Sequence, residues 1–176
     1  MIHKRFRKGQ FYYLKKRFHT LSMKAVAVFT GTIEGTVHFT ECEQGIEIKV
    51  KLKGFEPNTQ HGFHVHEAGD LTDRCMSMCA HFNPYHTQHG GPLSRVRHVG
   101  DLGNLSANGK GEVHITFYDD CIRLRGTKCN IIGRGLILHE DEDDLGEGDE
   151  ESLRTGNAGK RIACAVIGYA KENFKP

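Results

Sequence analysis

"GIEIKVKLKGF", residues 45–55, alternates without a break. Ile46, Ile48, Val50 and Leu52 fall on one side of an extended chain; Glu47, Lys49, Lys51 and Lys53 fall on the other. A period of two marks a half-buried β-strand, because successive side chains point to opposite faces. One apolar and one charged face belong to a sheet covered on one side, the antiparallel case. The pattern spreads outward from here. "TVHFTE" (36–41) reads as a partner strand and "KAVAVF" (24–29) as an opening apolar strand. "EVHITFYD" (112–119) repeats the alternation, with Val113, Ile115 and Phe117 predicted inward. "IIGRGLILHE" (131–140) and "RIACAVIGYA" (161–170) read as later strands. Turn signals such as "ANGKG" (107–111), 21 glycines and the absence of tryptophan favour many short strands. The reading is an all-β antiparallel sandwich or barrel in one domain.

Two stretches break the rhythm. Residues 68–98 and 140–160 are long and rich in Gly, Asp, Pro and His. Loops of that length are uncommon in a single domain unless they carry function. Something other than a sheet must hold them.

The charge is uneven. Residues 1–22 contain Lys4, Arg5, Arg7, Lys8, Lys15, Lys16 and Arg17 and no acid, leaving 17 of the 24 basic residues to face all 22 acids. The chain therefore divides into a basic extension, 1–22, and a mildly acidic domain, 23–176. The extension lacks the apolar run of a secretory signal. It reads as a disordered tail or a targeting segment, with Phe11, Leu14, Phe18 and Leu21 able to share one helical face. Met23 is a possible alternative start. No apolar run approaches the roughly 20 residues that cross a bilayer. Membrane association is not expected, a nucleic-acid partner is only weakly supported, and the expected location is cytoplasmic, with mitochondrial targeting or virion packaging left open.

"GFHVHE" (62–67) sets His64 and His66 on one face of a strand, with Phe63 and Val65 on the other. Of the twelve histidines, His3 and His19 lie in the extension, His38 and His114 at outward strand positions, and His86 in a loop. His61 reads as structural, on a turn leading into the strand. The other six are His64, His66, His81, His89, His98 and His139, and Asp101 follows three residues after His98. Imidazole suits copper, zinc, iron and nickel. Six histidines exceed the needs of one ion, so two ions are the natural reading.

The motifs that carry these histidines resemble the copper/zinc superoxide dismutase family. They are "GFHVHE", "HFNP" (81–84), "HGGP" (89–92), "RHVGDLGN" (97–104), "HEDEDDLG" (139–146) and "GNAGKRIACAVIG" (156–168), in order from Lys24 to about Ala170. The resemblance implies an eight-stranded Greek-key β-barrel with two long functional loops. It implies copper held by His64, His66, His81 and His139, and zinc held by His81, His89, His98 and Asp101. Asp143 would link His64 and His89. Arg161 would dock the superoxide anion, His81 would move a proton, and Thr155 would narrow the channel. Cys75 and Cys164 match the family's disulfide, leaving Cys79 as a competitor thiol where the family usually has glycine. The implied activity converts superoxide to dioxygen and hydrogen peroxide by alternating Cu(II) and Cu(I). A homodimer is expected, with Gly69 and Ile132 at its contact positions and Tyr169 replacing an aliphatic residue there; a copper chaperone is a possible loading partner. Two alternatives are a chaperone relative of the same fold and an inactive zinc-stabilised module. The first would carry an added cysteine-bearing metal domain, yet residues 1–22 hold no cysteine. The second would lack a copper histidine or Arg161, and none is lacking. Finally, residues 139–160 carry nine acids against Arg154 and Lys160. Glu147 and Asp149 stand where the family often has lysine and glycine, so anion steering is expected to be weak.

Overall fold

The computed structural model describes residues 22–174. The segment 45–55 forms a strand as its alternation requires. β3 spans Gly45–Lys53, with Ile46, Ile48, Val50 and Leu52 buried and Lys49, Lys51 and Lys53 exposed. It lies between β2 (Glu34–Cys42) and β6 (Glu112–Asp119), both antiparallel to it, and β2 pairs with β1 (Lys24–Phe29). A second sheet holds β4 (Gln60–His66), β5 (Asp101–Ser106), β7 (Gly135–His139) and β8 (Arg161–Val166) in the order β5-β4-β7-β8. The chain crosses between sheets after β3, β5 and β6. It crosses again within the C-terminal strand: β8 pairs with β7, and two residues on, β9 (Gly168–Tyr169) joins β1. The expected eight strands are thus present, the last divided in two where it changes sheets. The two sheets face each other across the core, the sandwich form of the expected architecture.

That core is built from the inward rows of both sheets, among them Phe39, Ile48, Val50, Phe63, Val65, Leu105 and Leu138. One inward assignment needs correcting. Ile115 is 47% exposed, although its neighbours Val113 and Phe117 pack against the core. β6 is the edge of its sheet, so the middle of its inner face is left uncovered. β5 was not apparent from "DLGNLS", whose Gly103 and Asn104 interrupt any alternation.

The long loops frame one end of β4. The loop from Glu67 to Gly100 carries a single 3₁₀ turn, Met76–Met78, and the loop after β7 carries a one-turn helix, α1 (Ser152–Thr155). A disulfide joins Cys75 to Cys164, pinning the first loop to β8. Cys79 is free and exposed, so it does not displace Cys75. The basic extension falls outside the described residues, apart from Ser22 at its end. Among the described residues no helix is long and apolar enough to cross a membrane.

Candidate metal centre

β4 is buried on both faces, which is why its pattern departs from simple alternation. Phe63 and Val65 face the core, while His64 and His66 face the loops and are themselves 0% and 1% exposed. His139 comes from the end of β7, the strand beside β4, and His81 bridges to His66 through the first loop. The four imidazoles each present a nitrogen, all within 4.8 Å of one another. His81, His89, His98 and Asp101 form a second group of the same tightness. His81 belongs to both, and its ring centroid lies 4.1 Å from that of His64.

In four of the rings one nitrogen is fixed by the fold. The Nδ1 of His66 meets the Cys79 carbonyl at 2.9 Å, and the Nδ1 of His139 meets the Gly159 carbonyl at 3.1 Å. His64 and His89 direct Nε2 at the two oxygens of Asp143, at 2.7 and 2.8 Å. That leaves His64 Nδ1, His66 Nε2, His89 Nδ1 and His139 Nε2 buried without a hydrogen bond. Buried polar atoms of native proteins are nearly always satisfied. Three of these orphans, on His64, His66 and His139, fall in the first group and the fourth, on His89, in the second; both point to a missing partner that donates no hydrogen bond and takes a lone pair, a cation.

The second group says the same through crowding. Nδ1 of His81, His89 and His98 stand 3.0, 3.0 and 3.1 Å from Asp101 oxygens. The ligand atoms of a tetrahedral zinc with bonds of about 2.0–2.1 Å lie roughly 3.3 Å apart. The His89 contact has the distance but not the direction of a hydrogen bond, as expected of two ligands that share an ion.

The electrostatics suit metal rather than proton. Burial, with His81 close by, lowers His64 to about 3. Burial lowers His139 to about 4, and it lowers His66 and His81 as well. These rings are neutral at neutral pH, the form that ligates. Burial also works against charge on His89, but Asp101 and Asp143 outweigh it and raise His89 to about 9. Burial opposes ionisation of both carboxylates; hydrogen bonds from the histidines overcome it and hold both well below the usual range. Two carboxylates among these rings supply the negative charge that a divalent ion would neutralise.

An open pocket reaches the first group. Its lining includes His66, His81, His139, Thr155 and Arg161, with Glu151 and Arg154 further out. Arg161 donates to the carbonyls of Cys75 at 2.7 Å and Met76 at 3.2 Å, and to that of Cys79. The disulfide loop thereby sets the position of the guanidinium.

Several supporting residues were not apparent in the sequence. Asn104 clasps the Asp143 backbone from both sides, donating to its carbonyl and accepting from its amide, each at 2.8 Å. His61, read as structural from the sequence, lies within β4 rather than on a turn before it, and its Nδ1 meets the His139 carbonyl at 2.8 Å. Arg97 donates to the Asp101 carbonyl and to Asp119. Gly156, at φ +67°, lets the second loop pass Asp143; a Cβ there would collide with its Oδ1. Each acts through a backbone contact, which no side-chain pattern announces.

A β-sandwich with two adjacent candidate metal sites that share one imidazole, beside an open pocket with a fixed guanidinium, has the form of a dinuclear metal protein whose centre is open to a small anion. Residues 33–167 match the family model for copper/zinc superoxide dismutase (SODC). The Cu-Zn superoxide dismutase of Paramecium bursaria Chlorella virus 1 is 61% identical over 156 residues, covering 88% of this chain and 83% of that one. The Schizosaccharomyces pombe enzyme of the same name is 47% identical, with 84% and 99% covered. An extracellular Cu-Zn superoxide dismutase of Drosophila melanogaster is 49% identical, with 84% and 86% covered. Among solved structures, the clock protein EA4 superposes with a TM-score of 0.81 at 44% identity, over 86% of this chain and 97% of that one. The chain belongs to the copper/zinc superoxide dismutase family. Its activity is superoxide dismutation and its cofactors are copper and zinc; neither a chaperone role nor an inactive binding module is favoured.

Proposed function

We propose that His64, His66, His81 and His139 hold copper, that His81, His89, His98 and Asp101 hold zinc, and that His81 is shared. The observation that carries this assignment is the membership of His81 in both four-residue groups. Bound copper supplies reversible one-electron transfer, and four nitrogens suit Cu(II) as three histidines and a carboxylate suit Zn(II). The chain's own groups do the rest. Arg161 docks the incoming anion with a guanidinium already held by three carbonyls, so little ordering remains to be done when superoxide arrives. His81 has Nδ1 engaged beside Asp101, which leaves Nε2 on the pocket side to hold a proton and give it to the product. Asp143 fixes the tautomers of His64 and His89 together, and Thr155 narrows the mouth.

The test combines metal analysis with dismutation assays on protein loaded with both metals. His139→Ala is expected to keep zinc and the fold, lose bound copper and lose activity. Retention of full copper and activity in that variant would overturn the assignment.

The finer partner reading is an isologous dimer. An apolar groove between β1 and β8 supports it, with Val28, Leu71 and Ile162 all 42–54% exposed along its walls. Gly69 packs bare against the Gly133 carbonyl beside Ile132. Tyr169 is 48% exposed and meets Phe174 edge-on. Sedimentation showing only monomer at micromolar concentration would refute it. Residues 1–22 are read as an appendage to the 23–176 domain. A cytoplasmic location is supported by free exposed Cys42 and Cys79, which suit a reducing compartment.

A further inference from the structure

A buried metal site needs a path by which its ion arrives. The two ligand groups have separate openings. The pocket described above reaches His66, His81 and His139. A second opening, which has Arg154 and Thr155 of α1 as a wall in common with the first, reaches His81 and His98. These are the accessible members of the second group: each is 6% exposed, against 2% for His89 and 0% for Asp101. An opening of about 390 Å³ admits an ion with its hydration shell, at about 30 Å³ per water.

His86, a loop residue with no assigned role, lines this second opening. It is exposed and stands at φ 54°, in the left-handed region that Asn, Asp and His enter more readily than other side chains. Its ring has no hydrogen-bond or ionic partner among the described residues. The turn beneath it is nevertheless held. The His86 amide donates to the Asn83 carbonyl at 3.3 Å. The Asn83 side chain closes on Thr87, accepting from its amide at 3.1 Å and donating to its carbonyl at 2.8 Å. The Thr87 hydroxyl donates to the carbonyl of Arg97 at 2.8 Å, so the turn is tied to the residue before His98. A free imidazole is thereby kept on the same opening as two zinc-group histidines.

Charge also divides the two openings. Arg161 lines the first, which suits an anion and opposes a dication. Arg161 does not line the second, and Glu67 does. Arg154, common to both, is paired with Glu151 at 3.0 Å. A zinc ion arriving by the first opening would also meet the nitrogens of the copper group before its own ligands. We propose that zinc enters and leaves through the second opening, with His86 as the ligand that takes it in transit. This rests on the zinc assignment made above. His86 takes the ion by replacing one of its waters, then hands it to His98 and His81 as its own bond to the metal is released. Zinc tolerates a fifth ligand during such an exchange, and nothing is oxidised or reduced. A ligand used only in transit lowers the barrier in both directions and leaves the end state unchanged.

The test follows zinc release from the metal-loaded full chain to an excess of a chromophoric chelator, zinc uptake after stripping, and zinc affinity by chelator competition. His86→Asn keeps a residue at ease at this φ and removes the imidazole. It is expected to slow release and uptake by the same several-fold factor, with zinc affinity and the rate of copper release unchanged. His86→Asp, whose carboxylate also ligates zinc, should restore much of the rate. Unchanged zinc rates in His86→Asn would overturn the proposal. So would an equal slowing of copper release, the mark of a general loop opening, or a fall in zinc affinity, which would place His86 in the resting site. His98→Ala separates the route from the assignment beneath it: if that variant holds zinc as tightly as the wild type, the assignment itself fails, whatever His86 does.

Discussion

Cys79 shows what a single residue contributes and what it costs. It sits at φ 63°, ψ −150°, in a region open essentially to glycine alone and costing of order 1–3 kcal/mol for other residues. The conformation persists because its carbonyl has two donors to satisfy, the buried His66 Nδ1 and the partly exposed Arg161 guanidinium. Glycine could adopt it without strain, at the expense of a more flexible unfolded chain worth about 0.4–1 kcal/mol. The relief of strain outweighs that loss. Cys79→Gly is therefore expected to stabilise the metal-free protein by about 1 kcal/mol, read as a higher urea midpoint at unchanged slope. A lower midpoint would show that the thiol contributes packing that outweighs its backbone. The departure from the family's glycine was legible in the sequence. Its two hydrogen-bonding partners were not, because both meet the backbone rather than the sulfur.

Among the elements, β4, the first loop and the second loop act through one carboxylate. Asp143 stands on the second loop and holds His64 of β4 and His89 of the first loop at once. Partners that orient metal-binding histidines commonly account for 10–100-fold in affinity. Asp143→Asn can accept from one ring but turns an NH2 donor toward the other, so zinc affinity is expected to fall about 10–100-fold with the sheets intact. Chelator competition at equilibrium measures it, and unchanged zinc affinity would remove Asp143 from the site. The metal-free site also sets a pH dependence. His64 and His139 are lowered from 6.5 to about 3 and 4, so the unfolded chain takes up protons first and stability declines as pH falls below 6.5. His89 is raised from 6.5 to about 9; its contribution is complete below 6.5 and is lost as pH rises through 9. Metal-free protein should therefore be most stable near pH 6.5, and zinc should abolish the alkaline decline by replacing the His89 proton. Urea midpoints measured from pH 5 to 10 test both limbs. At this scale the sequence was informative where a strand is covered on one side, as in β3. It misled at the edge strand β6, where Ile115 keeps its alternation but has nothing above it. It was silent at β5, where Leu102 and Leu105 serve the core but Gly103 and Asn104 interrupt the alternation.

At the scale of the whole molecule the question is how an anion reaches this centre past so much negative charge. The nine acids of residues 139–160 do not all face the pocket. Asp143 belongs to the metal centre, Asp144 and Asp149 bond Asn157 and the Ser152 turn, and Glu140 pairs with Lys160 at 3.3 Å. Glu147 is exposed and does not line the pocket, so it acts only through the long-range field. The acid at the mouth is Glu151. Its carboxylate lies 3.0 Å from the Arg154 guanidinium, and it also accepts from the Thr155 hydroxyl at 3.1 Å. The sequence marked Glu147 because it replaces a lysine; the pairing of Glu151 with Arg154 came only from the one-turn helix that sets them three residues apart. Exposed pairs of this kind contribute little to stability, but this one cancels the outermost positive charge on the approach to Arg161. On the proposed assignment superoxide is then attracted mainly by Arg161 and the bound metals, and the rate should fall only shallowly with added salt. Glu147→Lys is expected to raise the rate and steepen the salt dependence modestly, since Glu147 does not line the pocket and acts through a field screened over about 8 Å at physiological salt. Glu151→Gln frees Arg154 at the mouth itself, and should raise the low-salt rate and steepen its salt dependence more than Glu147→Lys does. Rate constants for both variants across a range of ionic strength decide the matter. If Glu147→Lys has the larger effect, superoxide is guided by the field of the whole second loop; if Glu151→Gln leaves rate and slope unchanged, Arg154 takes no part in guiding it.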